Sequence, residues 1–498
     1  MLKRRILAAT LLFVSASSAA LAAATQDEAN RITASLQTYL GSEPGVITVA
    51  LQGDDYVITL DAAPYIKKVG TPGLSMHFDP TVLTVRPLGN GQWSVSQSGP
   101  YAFSWKADGI STVDGKIAAL DWKGTFDENL FTFTDSTSSF KGMTLNQLID
   151  DPTTKIKTTS ATSIESWSST STAVAGANGA ADANGTMQFS GITSAAKNEL
   201  PADLIAAGMP ALDYTATVAS GEYASTIKGF RAKAVMELVA WFVAHPAKDL
   251  IIRDQAQLKE KIAAALPLWD NIDSKGTFQN TNISTAMGAF GIATAGSGIA
   301  MSGVTKDGMF RESFGFSGLT TPPGIAPPWS EGLVPTSFNL DFAFSGFDLE
   351  APAKLALAQA DFAKDPPIPS ESHMMFLPAF APKMSLGLTF QNGLIASPIY
   401  NISYDANVSI GFMGVPSGTA NIRMKGLDAV IAKVQAAATS DPTAQQAMGG
   451  LVAFKGFGKA EADGTIVWAI DVTQPGKVLI NGIDVAPMMG MAAPPPQP

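Results

Sequence analysis

The side chains that most often carry chemistry are few in this chain and far apart. The three histidines, His77, His245 and His373, stand in different segments, and none has a second histidine or a carboxylate at metal-ligand spacing. His245 precedes Pro246 at the end of an apolar run, where a helix C-terminus is expected. Ser-x-x-Lys occurs twice, as Ser194–Lys197 and Ser225–Lys228. That spacing serves a serine acylase when the serine opens a helix and the lysine takes its proton. Ser225–Lys228 reads instead as strand, and the companion Ser-Asp-Asn and Lys-Thr-Gly motifs are absent. Asp182-Ala183-Asn184-Gly185 opens like a calcium loop but lacks the later ligands and the closing Glu, so a polar turn is expected. Asp54-Asp55 and Asp150-Asp151 read as solvated turn carboxylates. The sequence therefore offers no catalytic, cofactor-binding or metal-binding residue, and no cofactor is expected. The one enzymatic alternative is a secreted hydrolase with carboxylates on different strands, as in glycosidases, because such pairs leave no local spacing.

What does recur is a structural kernel: apolar, then Lys, Ser or Asn, then Gly, then apolar. It surrounds Gly142, Gly191, Gly229, Gly303, Gly318, Gly346, Gly426, Gly456 and Gly482. The two apolar residues are three apart, which in a regular strand would place them on opposite faces. A glycine with positive φ adds one residue to the count and lets both face one core. Thr or Asp follows seven of the nine kernels, at Thr144, Thr193, Thr305, Thr320, Asp348, Asp428 and Asp484. Each could cap a helix, and Thr144-Leu145-Asn146-Gln147 has capping-box spacing. The expectation is a strand that ends, kinks at Gly, keeps its apolar grip and starts a turn or helix.

These kernels punctuate a chain that alternates apolar and polar residues over long stretches. "GVITVALQ" and "DYVITLD" flank Gly53-Asp54-Asp55, and "TVLTVRPL" and "QWSVSQS" flank Gly89-Asn90-Gly91, a strong hairpin signal. Helical spacing appears at 229–246, 248–267, 349–365 and 427–441. The small, polar stretch 170–186 reads as a loop and the proline-rich 320–335 as a linker. The expected fold is α+β and β-dominated, with long curved antiparallel sheets and a few amphipathic helices packed on one face. Trp241, Phe242, Phe316 and Phe344 are the expected core or hydrophobic-ligand lining.

Composition limits the function classes. The chain has 498 residues, 46% hydrophobic and 15% charged, with a net charge of −10. An acidic balance argues against nucleic acid as a partner. "MLKRRILAATLLFVSASSAALAA" has a basic start, an apolar run and an A-x-A end, which reads as a secretory leader over 1–22 and places the mature protein in the periplasm. No later run is long enough to span a bilayer. With no cysteine, disulfides and thiolate sites are excluded. The expected organisation is a β-rich region over 23–268 ending in a helical pair, a second over 269–486 with two helices, and a disordered tail over 487–498.

Strands closing on Phe-Ser-Gly or Phe-Lys-Gly plus an apolar residue and Asp or Thr, behind a secretory leader, resemble the envelope family called domain of unknown function 2125. More loosely, the chain is similar to the AsmA-like envelope proteins. The first resemblance implies no activity, and the second implies lipid handling in a β-rich groove. The resulting expectation is a non-catalytic periplasmic protein that binds lipid, another hydrophobic ligand or an envelope partner.

Overall fold

The computed structural model describes residues 24–209, 211–412, 414 and 416–489. The expected leader and residues 490–498 of the expected tail lie outside the described residues, while 487–489 belong to a short 3-10 turn, Ala486–Met489. The fold is β-dominated with antiparallel strand pairing, and helices pack on the sheets. The chain divides into two compact units.

The first unit comprises Met1–Ser274, Ile283–Ala286 and Ala356–Pro369. Its elements are α1 (Gln26–Leu40), β1 (Ile47–Gln52), β2 (Asp55–Leu60), α2 (Ala63–Val69), β3 (Leu74–Phe78), β4 (Thr81–Gly89), β5 (Gln92–Ala107), β6 (Ser111–Asp127), β7 (Thr132–Asp150), β8 (Lys157–Ala175), β9 (Ala181–Glu199), α3 (Ala202–Ala206), β10 (Tyr214–Phe230), α4 (Ala232–Ala244), α5 (Lys248–Arg253) and α6 (Gln255–Ala265). The ladder runs β1-β2-β4-β5-β6-β7-β8-β9-β10, each pair antiparallel. β3 pairs with the second half of β5, beyond Gly99-Pro100, while β4 pairs with the first half. A proline cannot donate to the ladder, and Gly99 has φ 125°, so the edge changes partner there. Strands β7, β8 and β9 have 19 residues each, about 60 Å of backbone.

One end of the sheet is capped. Helix α1 starts at Thr25, whose hydroxyl accepts the Glu28 N–H at 3.3 Å, with Asp27 and Glu28 in its first turn. It buries Ala29, Ile32 and Leu36 against Ile58, Leu83, Val85, Trp93, Val95 and Phe126, and Met236 of α4 joins the cluster. A fully buried aliphatic side chain stabilises by about 1.5–3 kcal/mol, so this cluster is the unit's anchor.

Beyond the capped end, strands β6 to β10 change phase along one row. Ile117 and Leu120 of β6 lie opposite Met143 and Phe140 of β7. Those lie opposite Ile164 and Trp167 of β8, then Ile192 and Phe189 of β9, then Val218 and Gly221 of β10. Each strand thus places two residues three apart on one face and turns the two between them to the other. Gly142 and Gly191, both with φ 63°, make the phase change in β7 and β9. A Cβ on Gly142 would stand 3.2 Å from the Ala118 Cβ, and one on Gly191 2.2 Å from the Glu165 carboxyl carbon.

The second unit comprises Lys275–Asn282, Met287–Leu355 and Ser370–Pro498. β11 (Asn271–Thr285) begins in the first unit; β12 (Gly288–Ser302), β13 (Gly308–Ser317), β14 (Ser337–Phe347), α7 (Glu350–Gln359), α8 (His373–Phe380), β15 (Ser385–Ala396), β16 (Asn401–Gly411), β17 (Ser417–Lys425), α9 (Leu427–Ala438), α10 (Pro442–Gly456), β18 (Lys459–Ala460), β19 (Ile466–Asp471), β20 (Leu479–Ile480) and β21 (Ile483–Asp484) follow. Its ladder runs β12-β13-β14-β15-β16-β17-β19-β20-β21, again antiparallel, with β18 beside β19. Helices α9 and α10 cover one end, where Leu427, Val430, Val434 and Ala444 bury Met424, Ile466 and Trp468. A bulge in β15 at Asn392 (φ 52°) is locked from both sides. Asn339 donates to the Asn392 carbonyl at 2.6 Å, and the Tyr404 hydroxyl donates to the Asn339 carbonyl at 3.1 Å.

Seven of the nine kernel glycines have φ between 63° and 87°: Gly142, Gly191, Gly229, Gly318, Gly346, Gly426 and Gly482. Gly229, Gly346 and Gly426 stand where β10, β14 and β17 give way to helices. After Gly346, Asp348 accepts the Ala351 N–H at 2.8 Å. Gly318 closes β13, and Gly482 with Asn481 turns the β20–β21 hairpin. Two depart from the expected junction. Gly303 lies in coil without positive φ, and Gly456 ends helix α10, a helix that the strand-like kernel Phe454-Lys455-Gly456-Phe457 did not suggest.

Other expectations are corrected. Thr144 and Thr193 cap nothing, because β7 and β9 run on through them; cross-strand pairing on both sides outweighs local capping. Residues 170–186 are the ends of β8 and β9 around a 3-10 turn at Ala177–Gly179, since small polar residues suit a face that needs no core. Helix 248–267 is broken at Asp254 into α5 and α6, and helix 349–365 stops at Gln359. Helices α1, α2, α3, α8 and α10 lie outside the four segments of helical spacing.

Candidate hydrophobic-ligand face

The phase-change row gives the first unit an uncharged apolar stripe. Ile117, Leu120, Phe140, Met143, Ile164, Trp167, Ile192 and Val218 are half-buried, and Phe189 is buried. Phe140 stacks on Trp167 with ring centroids 5.3 Å apart and planes 10° apart. From the row, Tyr101, Phe103 and Trp105 continue along β5 on the same face, with Phe78 of β3 stacked on Phe103 at 6.4 Å. Five inter-strand steps from β5 to β10 make the stripe about 24 Å long. Hydroxyl pairs bound it on both sides of the same face: Ser136 with Ser171 at 2.7 Å, and Thr162 with Ser194 at 3.0 Å. The charges of these strands, including Lys116, Lys141 and Glu165, alternate onto the opposite face.

The second unit carries an aromatic stripe too, although Glu312 of β13, opposite Phe342, lies on the same face within it. Phe314, Phe316 and Phe338 lie within 6.4 Å of one another, and Phe342 touches Phe344 at 5.8 Å and Phe390 at 6.4 Å. Phe314 is exposed and the other five are half-buried. On the opposite face, Arg311 pairs with buried Asp341, with Nε 2.8 Å from Oδ1.

Of the residues singled out from sequence, Phe316 and Phe344 lie in this second stripe. Trp241 and Phe242 do not join the first, because both are on α4. Trp241 is buried, with its indole N–H donating to Gln257 Oε1 at 2.5 Å, whereas Phe242 is 45% exposed. An apolar helix still has a side that its neighbours do not reach. The residues that form the first stripe, Phe140 and Phe189 foremost, stood in the sequence only as the leading members of two kernels.

The residues with catalytic overtones are structural in their contacts. His245 stacks on Trp241 at 3.8 Å, its Nδ1 2.7 Å from the Trp241 carbonyl and its Nε2 2.9 Å from Asp254 Oδ2. Arg253 donates to the same carboxylate at 2.6 Å. Arg253 and, after it, His245 hold the Asp254 carboxyl down to about 2. The group ties the end of α4 to the α5–α6 break. Asp182 lies in β9 rather than a turn and accepts the Gly229 N–H at 2.8 Å. Ser194–Lys197 and Ser225–Lys228 are both on strands, where a spacing of three does not bring serine and lysine to one face. Among the described residues, no three His, Asp or Glu are grouped to hold a metal, and no helix is long and apolar enough to cross a membrane. No family model matches the chain, and no curated protein is similar to it.

Proposed function

We propose that this protein is a secreted envelope protein that binds an acyl chain, without chemistry, along the aromatic stripe of its first unit. The supporting observation is the phase-change row. Four adjacent strands, β6 to β9, share an irregularity at the same level that keeps pairs of large apolar side chains on one face, and all of these but Phe189 stay partly open to solvent. A core needs no such half-open band, whereas an extended hydrocarbon chain does. Each methylene it buries is worth about 0.8 kcal/mol. The periplasmic setting rests on the leader-like N-terminus and its basic start.

The test is native mass spectrometry with lipid extraction on protein taken from its own envelope, followed by titration with a graded series of fluorescent fatty acids. Affinity should rise by up to roughly fourfold per added methylene until the stripe is filled. Phe140→Ala with Trp167→Ala should remove most of it. Absence of co-purified lipid together with flat affinity across the series would sink the reading. Turnover of a glycoside or ester would move the protein to the hydrolase class instead.

A further inference from the structure

At the end of the first unit away from the α1–α4 cap, the strand tips are apolar where they meet water. Strand pairing brings three connections to this end: β5 to β6, β7 to β8, and β9 to β10. Of the exposed large apolar side chains described in this unit, half lie here: Val69, Ile110, Ile205, Met209, Leu212 and Tyr214. Leu212 is 73% exposed, the most of these in the unit, and Ile205 61%, beside 63% for Val174, which stands at the other end of β8. We propose that this end is a contact element for a lipid surface, with Ile205 and Leu212 entering the interface first.

Three observations favour lipid over a protein partner. The backbone around Ile205 satisfies itself. Leu204 and Ile205 N–H donate to the Pro201 carbonyl at 3.1 Å, Ala207 to Asp203 at 2.9 Å, Gly208 to Ile205 at 3.0 Å and Met209 to Leu204 at 3.0 Å. A segment that enters hydrocarbon must keep its polar backbone paired internally, while one that docks on protein can leave groups for its partner. The base of the connection is fixed rather than loose, since Asn198 N–H donates to Asp213 Oδ1 and its side-chain amide to the Leu212 carbonyl, both at 2.8 Å. Tyr214, with an apolar ring and a polar tip, stands at that base, at the depth where tyrosine suits a membrane–water boundary.

Charge then selects the kind of surface. Lys67, Lys68, Lys106, Lys155, Lys157 and Lys197 at this end stand against Glu43, which pairs with Lys68, and Asp108, Asp150, Asp151, Glu199, Asp203 and Asp213. With no excess of positive charge, attachment is by apolar insertion into neutral lipid and nearly independent of salt. The inference deepens the acyl-chain reading, on which it rests for its purpose: Tyr214, Ala216 and Val218 lead along β10 from this end to the stripe.

The absence of cysteine gives a clean experiment. L212C, labelled with a polarity-sensitive dye in the full-length protein, should blue-shift on phosphatidylcholine vesicles. N178C, in the turn at the opposite end of β8 and β9, should not. Sedimentation with the same vesicles should change little between low and high salt. It should fall at least about tenfold in each of I205D and L212D, with thermal stability and fluorescent fatty-acid affinity unchanged. Vesicle binding without fatty-acid binding would discard the acyl-chain reading and keep this one. No vesicle binding by the unsubstituted protein would overturn the proposal, as would binding that salt abolishes or that both substitutions leave intact. Self-association lost in L212D, without vesicle binding, would assign the tip to a second copy and overturn it equally.

Discussion

Gly426→Ala should open the second unit's capped end far more than Gly142→Ala opens the first unit's sheet. Both glycines have positive φ, at 87° and 63°. For an alanine that conformation costs about 1–2 kcal/mol, of which the smaller unfolded-state entropy of alanine offsets about 0.4–1 kcal/mol. The surroundings separate the two. At Gly142 the nearest atom to an added Cβ is the Ala118 Cβ at 3.2 Å, a contact that small shifts relieve. At Gly426 it is the Ile399 carbonyl oxygen at 2.2 Å, with Tyr400 Cα at 3.1 Å. That segment cannot yield freely: Ile399 and Tyr400 N–H both donate to the Ser397 hydroxyl, at 3.1 and 3.2 Å, and the Tyr400 hydroxyl donates to the Leu333 carbonyl at 3.1 Å. Backbone displacement of this kind costs a further ~1–3 kcal/mol. The net expectation is about 2–4 kcal/mol for Gly426→Ala and about 0.5–1.5 kcal/mol for Gly142→Ala. Native-state hydrogen exchange with mass spectrometry reads each segment separately, which matters where two units need not unfold together. Amides of α9, including Val430, which donates to the Gly426 carbonyl at 3.1 Å, should exchange about 30- to 1,000-fold faster. Those of β7 in Gly142→Ala should exchange only about 2- to 10-fold faster. Equal effects in the two variants would refute the reasoning from close backbone approach.

Three other outcomes are expected. Asp254 is held near 2, below its ordinary value, so the α4–α5 corner is favoured by this carboxylate above about pH 4 and loses that contribution as pH falls toward 2; exchange at 241–254 should rise across that window, and Asp254→Asn should remove the dependence. Arg311→Ala leaves the buried Asp341 carboxylate without its partner and should cost about 1–3 kcal/mol in urea unfolding, more than Asp341→Asn. N-terminal sequencing of envelope-derived protein should find a start at Ala23 or Thr25, either of which retains the Thr25 cap of α1; a start at Met1 would contradict the leader.

Much of this fold was legible in short stretches. The Asn90-Gly91 hairpin forms with φ 54° and 75°, because few sequences other than Asn-Gly tolerate two such residues in succession. The three-residue spacing of Phe140 and Met143, or of Phe189 and Ile192, called for a positive-φ glycine that keeps both on one face, since no regular strand does so, but it pointed to a strand end where the strand in fact continues. Leu427, Val430 and Val434 likewise fixed the buried side of α9 by their helical period. What no stretch could state was alignment. Whether the changes at Gly142 and Gly191 belong to separate junctions or to one row depends on the registers of β6 to β10, set by partners up to tens of residues away. Register also decided that Thr144 continues a strand rather than capping a helix, because hydrogen bonds to two neighbouring strands outweigh a single local cap. The same holds for the apolar tip: nothing local to Ile110 or Leu212 relates their turns, and antiparallel pairing alone brings them to one end. Local sequence determined where the backbone bends and which residues avoid water; only the pairing of distant strands decided which of those residues stand together, because that choice is made by the summed hydrogen bonds and contacts of whole strands and not by any residue's own preference.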